Sequence, residues 1–511
     1  MPSRLVPLLN PKHHPSTRLR VPRASAEGQA PNPNSPATAN FQSNAQRASR
    51  LGVGHWACVG IWSLVLGICL TSQAPNRRVT WSDVAALHER LGAAGLTGDS
   101  FHSYVARTHD ENVRRVREGD LDHLVFYLLQ SRTLATVPPI EPALSAKTLV
   151  EGMDATARKA FLDGGLAHGA RAPVDATARI AALLRTLEKP GADARLIYFK
   201  ALVETVFPER RQRQEGLTRE YFRAMRFVYE KEFVAQRAAA PASAVAELYR
   251  TRGLSTDTAI EAGFVVNLGL EIIKSLKADR QIRRVLIVGP GLDLAPRTGF
   301  RDTPPESYQP WAVIDALIET GLARAADLEV TAADINPRVV DHLRRSRNPP
   351  PRLSLVTDIA EKNGVAFSQE YREYFADLGT HLSTPPGAAR AVEDEDGRLR
   401  KSVQVSAALA RVLRAESLDI VTERLTGAGF ELVIATNILP YFDDRQLALA
   451  ASNISAMLVP GGVFLHNEAR PILGDLTTAV GLPFEQSRRT VIATVTGAAP
   501  LGDSVFLHVK R

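Results

Sequence analysis

From Arg284 onward the chain alternates short apolar runs with stretches of helical period. The runs are RVLIVG (284–289), LEVTAAD (328–334), RLSLVTD (352–358), FELVIAT (430–436) and GGVFLHN (461–467). Near-continuous apolar strands of this kind predict a parallel sheet buried on both faces. WAVIDALIETG, NPRVVDHLRR and RQLALAASNISAML lie between them, with apolar residues at i, i+3 and i+4. The chain closes differently. RRTVIATVTG (488–497) and SVFLHVKR (504–511) flank a short Gly/Pro/Asp turn, which predicts an antiparallel hairpin.

From Thr80 to about Arg280 the period is helical. Thr80 with Asp83 marks a helix start before VAALHERL. LDHLVFYLLQ (121–130), ATARIAALLRTLEK (176–189), ARLIYFKALVETVF (194–207) and LTREYFRAMRFVYEKEFVAQR (217–237) continue the pattern, and RAAAPASA (237–244) reads as a linker. The predicted fold is α/β: a doubly wound, mostly parallel sheet with a terminal antiparallel hairpin over 245–511, preceded by an all-α domain over 80–240. The helical domain shows no recognisable catalytic set and is read as a cap, scaffold or partner-binding surface.

Charge narrows the function. Residues 1–50 hold seven Lys/Arg and one Glu, so six of the seven net positive charges sit in a leader with eight prolines. The leader reads as disordered. The rest of the chain is almost neutral, so no nucleic-acid partner is expected. Leu51–Leu70, within an apolar segment 51–74, is about long enough to span a bilayer. A signal anchor, a signal peptide behind a misassigned start and a buried helix all fit it. The first two imply membrane association or export; the alternative is a cytoplasmic protein. Both cysteines, Cys58 and Cys69, lie in that segment. The remainder therefore has no Cys nucleophile, disulfide or Cys-ligated zinc, and with no HExxH or HxH pattern no metal site is expected.

Candidate chemistry gathers at RRVLIVGPGLDLAPRTGF (283–300). Gly289 and Gly291 follow the first strand, where ligands of open α/β sheets bind, and glycine lets backbone approach a ligand. The next helix is predicted only near Gln309–Trp311, with Ser307 as its cap. Its N-terminus is therefore not delivered to a pyrophosphate. A ligand without phosphate fits better, such as S-adenosylmethionine (SAM). Asp334 ends the second strand and is a candidate acceptor for ribose hydroxyls, or the N-cap of the following helix. Asp358 ends the third run and is a candidate acceptor for an adenine amino group, or again a helix cap.

These residues resemble the class I SAM-dependent methyltransferase family over about 285–511. The family's acid-x-Gly-x-Gly-x-Gly motif is incomplete here: Ile287 stands at the acid position and Asp293 where the last glycine falls. Asp293 is then a candidate partner for the methionine amino group. NILPYFDDRQ (437–446) is similar to the Asn-x-x-x-Tyr-Phe-Asp run of chemoreceptor glutamate methyltransferases, and LVPGGVFL (458–465) to the turn and strand that follow in many members. The resemblance implies SAM as cofactor, the terminal hairpin, and a helix before the first strand, capped at Ser255, that closes over the methionine end. Arg250 or Arg252 is there a candidate partner for the methionine carboxylate. Asn437 and Tyr441 become candidate acceptor-site residues, Asn437 through its amide oxygen and also as a cofactor contact. His466 and Glu468 become candidate bases. Each also has a structural reading: turn residue, packing ring, strand-end histidine.

Two long insertions, Arg297–Trp311 and about 360–429, are candidates for the acceptor pocket. The expected activity is methyl transfer to an unidentified small-molecule or protein acceptor. The alternatives are a non-catalytic SAM-fold scaffold and an aminopropyltransferase, the latter lacking a clear second acidic pair for a polyamine.

Overall fold

The computed structural model describes residues 76–511, except 135–137, 166–170, 239–240, 295–303, 388–389, 395–396 and 428. The leader and the apolar segment 51–74 lie outside the described residues, as does most of the loop after the paired glycines. Among the described residues, no helix is long and apolar enough to cross a membrane.

The fold is α/β around one eight-stranded sheet. Labelling only that sheet's strands in chain order, β1 is Arg284–Val288, β2 Glu329–Asp334, β3 Val365–Phe367, β4 Leu413–Ser417, β5 Phe430–Ala435, β6 Leu458–His466, β7 Phe484–Val495 and β8 Leu501–Val509. Their spatial order is β4-β2-β1-β5-β6-β8-β7-β3. β4, β2, β1, β5 and β6 are parallel. β8 runs antiparallel between β6 and β7. Among the parallel strands, β2 and β4 lie on one side of β1 and β5 and β6 on the other, which puts the switch point of the sheet at the β1/β5 seam.

Strand residues alternate between two apolar layers, as the two-residue period requires. Val285 and Ile287 of β1 join one core with helices Glu261–Leu276 and Gln309–Glu319. Leu286 and Val288 join the other with helices Asp444–Met457 and Pro471–Ala479. The 33-residue helix Gly98–Gln130 is capped by Thr97 and contributes to both layers. Helices Pro142–Glu151, Val174–Glu188, Ala194–Val206 and Arg213–Tyr229 share the first core.

Three readings of the sequence are corrected. RLSLVTD does form a strand, Arg352–Val356, but it pairs antiparallel with Leu399–Gln404 in a separate three-stranded sheet. The third parallel strand is β4, LRAES, beside β2. The insertion 360–429 thus carries part of the central sheet. No helix is capped at Ser255: residues 253–259 are irregular and the helix runs Glu261–Leu276. Of the stretch read as a linker (237–244), residues 241–244 start helix Pro241–Thr251, and 239–240 lie outside the described residues. Proline is tolerated in a first turn because its missing N–H would be unpaired there anyway.

Candidate ligand site at the switch point

A cavity opens beyond the carboxyl ends of β1, β2, β4 and β5. Gly289, Gly291, Asp334, Asn336, Asp419, Ile420 and Asn437 line it from the sheet side. The segment Leu254–Thr258, with Tyr249 and Tyr441, covers it, and Asn112 and Val116 reach it from the long helix. Four of the lining residues are carboxylates (Asp257, Asp334, Asp419, Glu468), and none is a lysine, arginine or histidine. Among the described residues a diphosphate would find no cation there.

The glycine loop follows from sterics. Gly289 and Gly291 have φ of +68° and +79°, which residues with a Cβ rarely adopt. A Cβ at Gly289 would overlap Ile438, and one at Gly291 would overlap Thr258 and the Thr256 carbonyl. The space freed by these glycines is therefore filled by the protein's own roof, although both glycines still line the cavity. The Leu292 amide donates to the Thr256 carbonyl at 2.8 Å, and the Thr256 hydroxyl donates back to the Leu292 carbonyl at 3.0 Å.

Asp334 ends β2 and is 6% exposed. It accepts the Asn336 amide at 2.8 Å and the Gly291 amide. It is not the helix cap: Asn336 caps Pro337–Arg345 by accepting the Arg338 amide at 3.0 Å. Burial raises the Asp334 carboxyl to about 6, against its two backbone hydrogen bonds. The other three carboxylates have stronger partners. Asp419, after β4, accepts from Asn112, His109, Thr422 and the Val421 amide, at 2.7–3.3 Å. Glu468 meets the Arg470 guanidinium at 3.2 Å. Asp257 is paired with the buried His123, which also bonds Ser255 at 3.2 Å.

The roof is built from the long helix. Gly119 and Gly253 let the two backbones touch; a Cβ on either would overlap the other segment. Arg115 donates to the carbonyls of Arg252, Tyr249 and Tyr441 at 2.9–3.2 Å. Arg252 is buried, pairs with Asp122 at 2.8 Å and lies over the Phe227 ring. Arg250 pairs with Glu247. Neither arginine lines the cavity.

The expected site residues thus divide. Gly289, Gly291, Asp334, Asn437, Tyr441 and Glu468 meet at the cavity. Tyr441 packs edge-on against Tyr249 at 5.4 Å, and burial raises its hydroxyl. Asp293, Asp358 and His466 do not line it. Asp293 bonds backbone-to-backbone with Glu306. Asp358 belongs to the three-stranded sheet region, its carbonyl taken by Arg398. His466 is buried between Phe506 and His508, its Nδ1 accepts the Glu468 amide at 3.1 Å, and burial pushes its pKa well down. Sequence reading missed Asn112, His123, Asp257, Asp419, Asn467 and Asp503. Only Asp419 had a signal, an Asp-Ile pair shortly after an alternating stretch.

No protein-family model and no curated protein matches this chain. Among solved structures it is similar to several SAM-dependent methyltransferases. One is the N-methyltransferase NodS from Bradyrhizobium japonicum in complex with S-adenosyl-L-homocysteine (SAH), at 12% identity over 49% of this chain and 86% of that one, TM-score 0.25. Another is magnesium protoporphyrin IX methyltransferase ChlM from Synechocystis with bound SAM, at 10% identity, 49% and 82% coverage, TM-score 0.25. A third is a TehB-like SAM-dependent methyltransferase from Corynebacterium glutamicum, at 11% identity, 48% and 88% coverage, TM-score 0.23. At these values each is a similarity only.

Proposed function

We propose that the switch-point cavity binds SAM and that the protein transfers its methyl group to an acceptor. Asp334 carries the reading. It is a buried carboxylate at the end of β2, facing a cavity and held by two neutral backbone donors. A vicinal diol would supply the missing donors and favour the ionised form. Leu418 and Ile420, after β4, offer apolar flanks for a flat base beside it. Among the described residues no lysine, arginine or histidine lines the cavity, which disfavours a diphosphate.

Bound SAM supplies an electrophilic methyl on a positively charged sulfur. The chain's own part is alignment and exclusion of water. Asp334 fixes the ribose end. Ile438, Pro440, Tyr441 and Phe442, just past β5, wall the remainder of the cavity. Because Asp257, Asp419 and Glu468 are already paired, they leave no free acidic pair for a polyamine, which speaks against aminopropyl transfer.

Calorimetry on the full chain tests the reading. SAH is expected to bind one to one and NAD not to bind. Absence of SAH heat, or tighter binding of NAD, would overturn it. Incubation with methyl-labelled SAM and candidate acceptors then separates an enzyme from a binding protein.

A further inference from the structure

Asn437 follows β5 with φ +61°, a left-handed conformation that is strained for a non-glycine residue. The strain is held by a short network. The Asn437 backbone N–H donates to Asn467 Oδ1 at 3.0 Å. Asn467 Nδ2 donates to Asn437 Oδ1 at 2.8 Å and to Asp503 Oδ2 at 2.9 Å. Asn467 and Asp503 are buried.

The two ends of a side-chain amide are assigned by their partners, and here the assignment starts from a group that can only donate. A backbone N–H requires Asn467 to turn its oxygen toward it. The Asn467 nitrogen must then face Asn437 and Asp503. The opposite orientation of Asn437 would set two NH₂ groups against each other. This chain of reasoning holds whatever the charge on Asp503. It leaves Asn437 Nδ2 as the end of the amide not used by any of the described residues.

We infer that Asn437 is a specificity-determining hydrogen-bond donor, presenting Nδ2 to the cavity, and that the ligand group opposite it carries a lone pair. This reverses the expectation that Asn437 works through its amide oxygen. Among the described residues the cavity lining has no lysine, arginine or histidine to balance an anion, so the group is a neutral acceptor: a carbonyl, an ether oxygen or an unprotonated ring nitrogen. An amine or hydroxyl that must donate to Asn437 is rejected, because two donors would face each other in a partly desolvated site. The inference rests on the cavity being the ligand site proposed above.

The test uses two neutral bicyclic probes on the full chain at pH 8 with SAH present: quinoline, which only accepts, and indole, which only donates. The readouts are their affinities and the side-chain amide signal of Asn437 in a ¹H–¹⁵N spectrum, assigned by its loss in Asn437→Ala. Quinoline is expected to bind roughly fivefold more tightly than indole, the worth of one hydrogen bond, and to move that signal. Asn467→Asp takes away the nitrogen that holds Asn437, lets the Asn437 amide turn over, and is expected to invert the preference. Asp503→Asn, which leaves the backbone N–H in place, is expected to retain it. Equal binding, preference for indole, or an Asn437 signal unmoved by quinoline overturns the inference. The SAH heat is measured on the same sample. Its absence counts against methyl transfer, while the two probes added without SAH still judge the donor.

Discussion

Replacing Asp334 by Asn separates what this carboxylate costs the fold from what it does for a ligand. The carboxyl titrates at about 6 in the folded protein and near 3.8 when unperturbed. The folded state therefore holds the proton more tightly than the unfolded chain. A group of this sign contributes its stability below pH 4 and loses it as pH rises through 6. Each tenfold difference in proton affinity corresponds to about 1.4 kcal/mol. Ionised Asp334 thus costs the ligand-free fold about 3 kcal/mol at pH 8, an upper figure for a buried group. Asn keeps an oxygen for the Asn336 amide, which bonds Oδ1, while removing the charge. Without ligand, Asp334→Asn is expected to raise stability by about 1–3 kcal/mol at pH 8, with the gain gone by pH 4. Urea unfolding at the two pH values measures it, provided the slope against denaturant is unchanged. The same variant is expected to bind SAH at least about tenfold more weakly, since a charge-assisted hydrogen bond to the ribose would be lost. A variant less stable than wild type at pH 8, or a gain equal at both pH values, would refute the reasoning.

Three further outcomes follow from the same geometry. Wild-type affinity for SAH should fall as pH drops through about 6, where Asp334 takes up its proton; a titration flat from pH 5 to pH 8 would remove Asp334 from the contact. Gly291→Ala should lower stability by about 2 kcal/mol or more, because a positive φ and the contact with Thr258 and Thr256 both resist a Cβ; thermal unfolding and SAH calorimetry report it together. His123→Ala should cost about 3 kcal/mol in urea unfolding by leaving Asp257 buried without its imidazole, and a loss under 1 kcal/mol would mean the pair is open to water.

Much of the architecture was legible because the central strands are buried on both faces and so read as unbroken apolar runs. β1, β2, β5 and β6 are legible in this way, and the closing hairpin from the turn between its two strands. β4 was not. It lies at one edge of the sheet, and Arg414 and Glu416 break its apolar run. The more apolar RLSLVTD reads as the strand in its place, and the expected strand-end carboxylate shifts with it from Asp419 to Asp358. Gly289, Gly291 and Asp334 were recognisable because backbone geometry at a strand end restricts residue type. The roof was not. Asn112 and His123 act across more than 130 residues of chain on partners such as Asp419 and Asp257, and no local period records such a contact. The direction of the Asn437 amide is likewise set by residues that follow the next strand and lie in the last one.

The back-to-back glycines of the roof have a practical consequence. A fragment begun near residue 245 would retain the complete eight-stranded sheet and both strand-end glycines. It would lack Arg115, Gly119, Asp122 and His123, the groups that hold Arg252, Gly253 and Asp257 in place. Such a truncation would expose Asp334 to bulk water, drop its carboxyl toward the ordinary acid range and erase the desolvated crevice. Recombinant work on the sheet half alone would then record a failure of the cut, not of the chemistry.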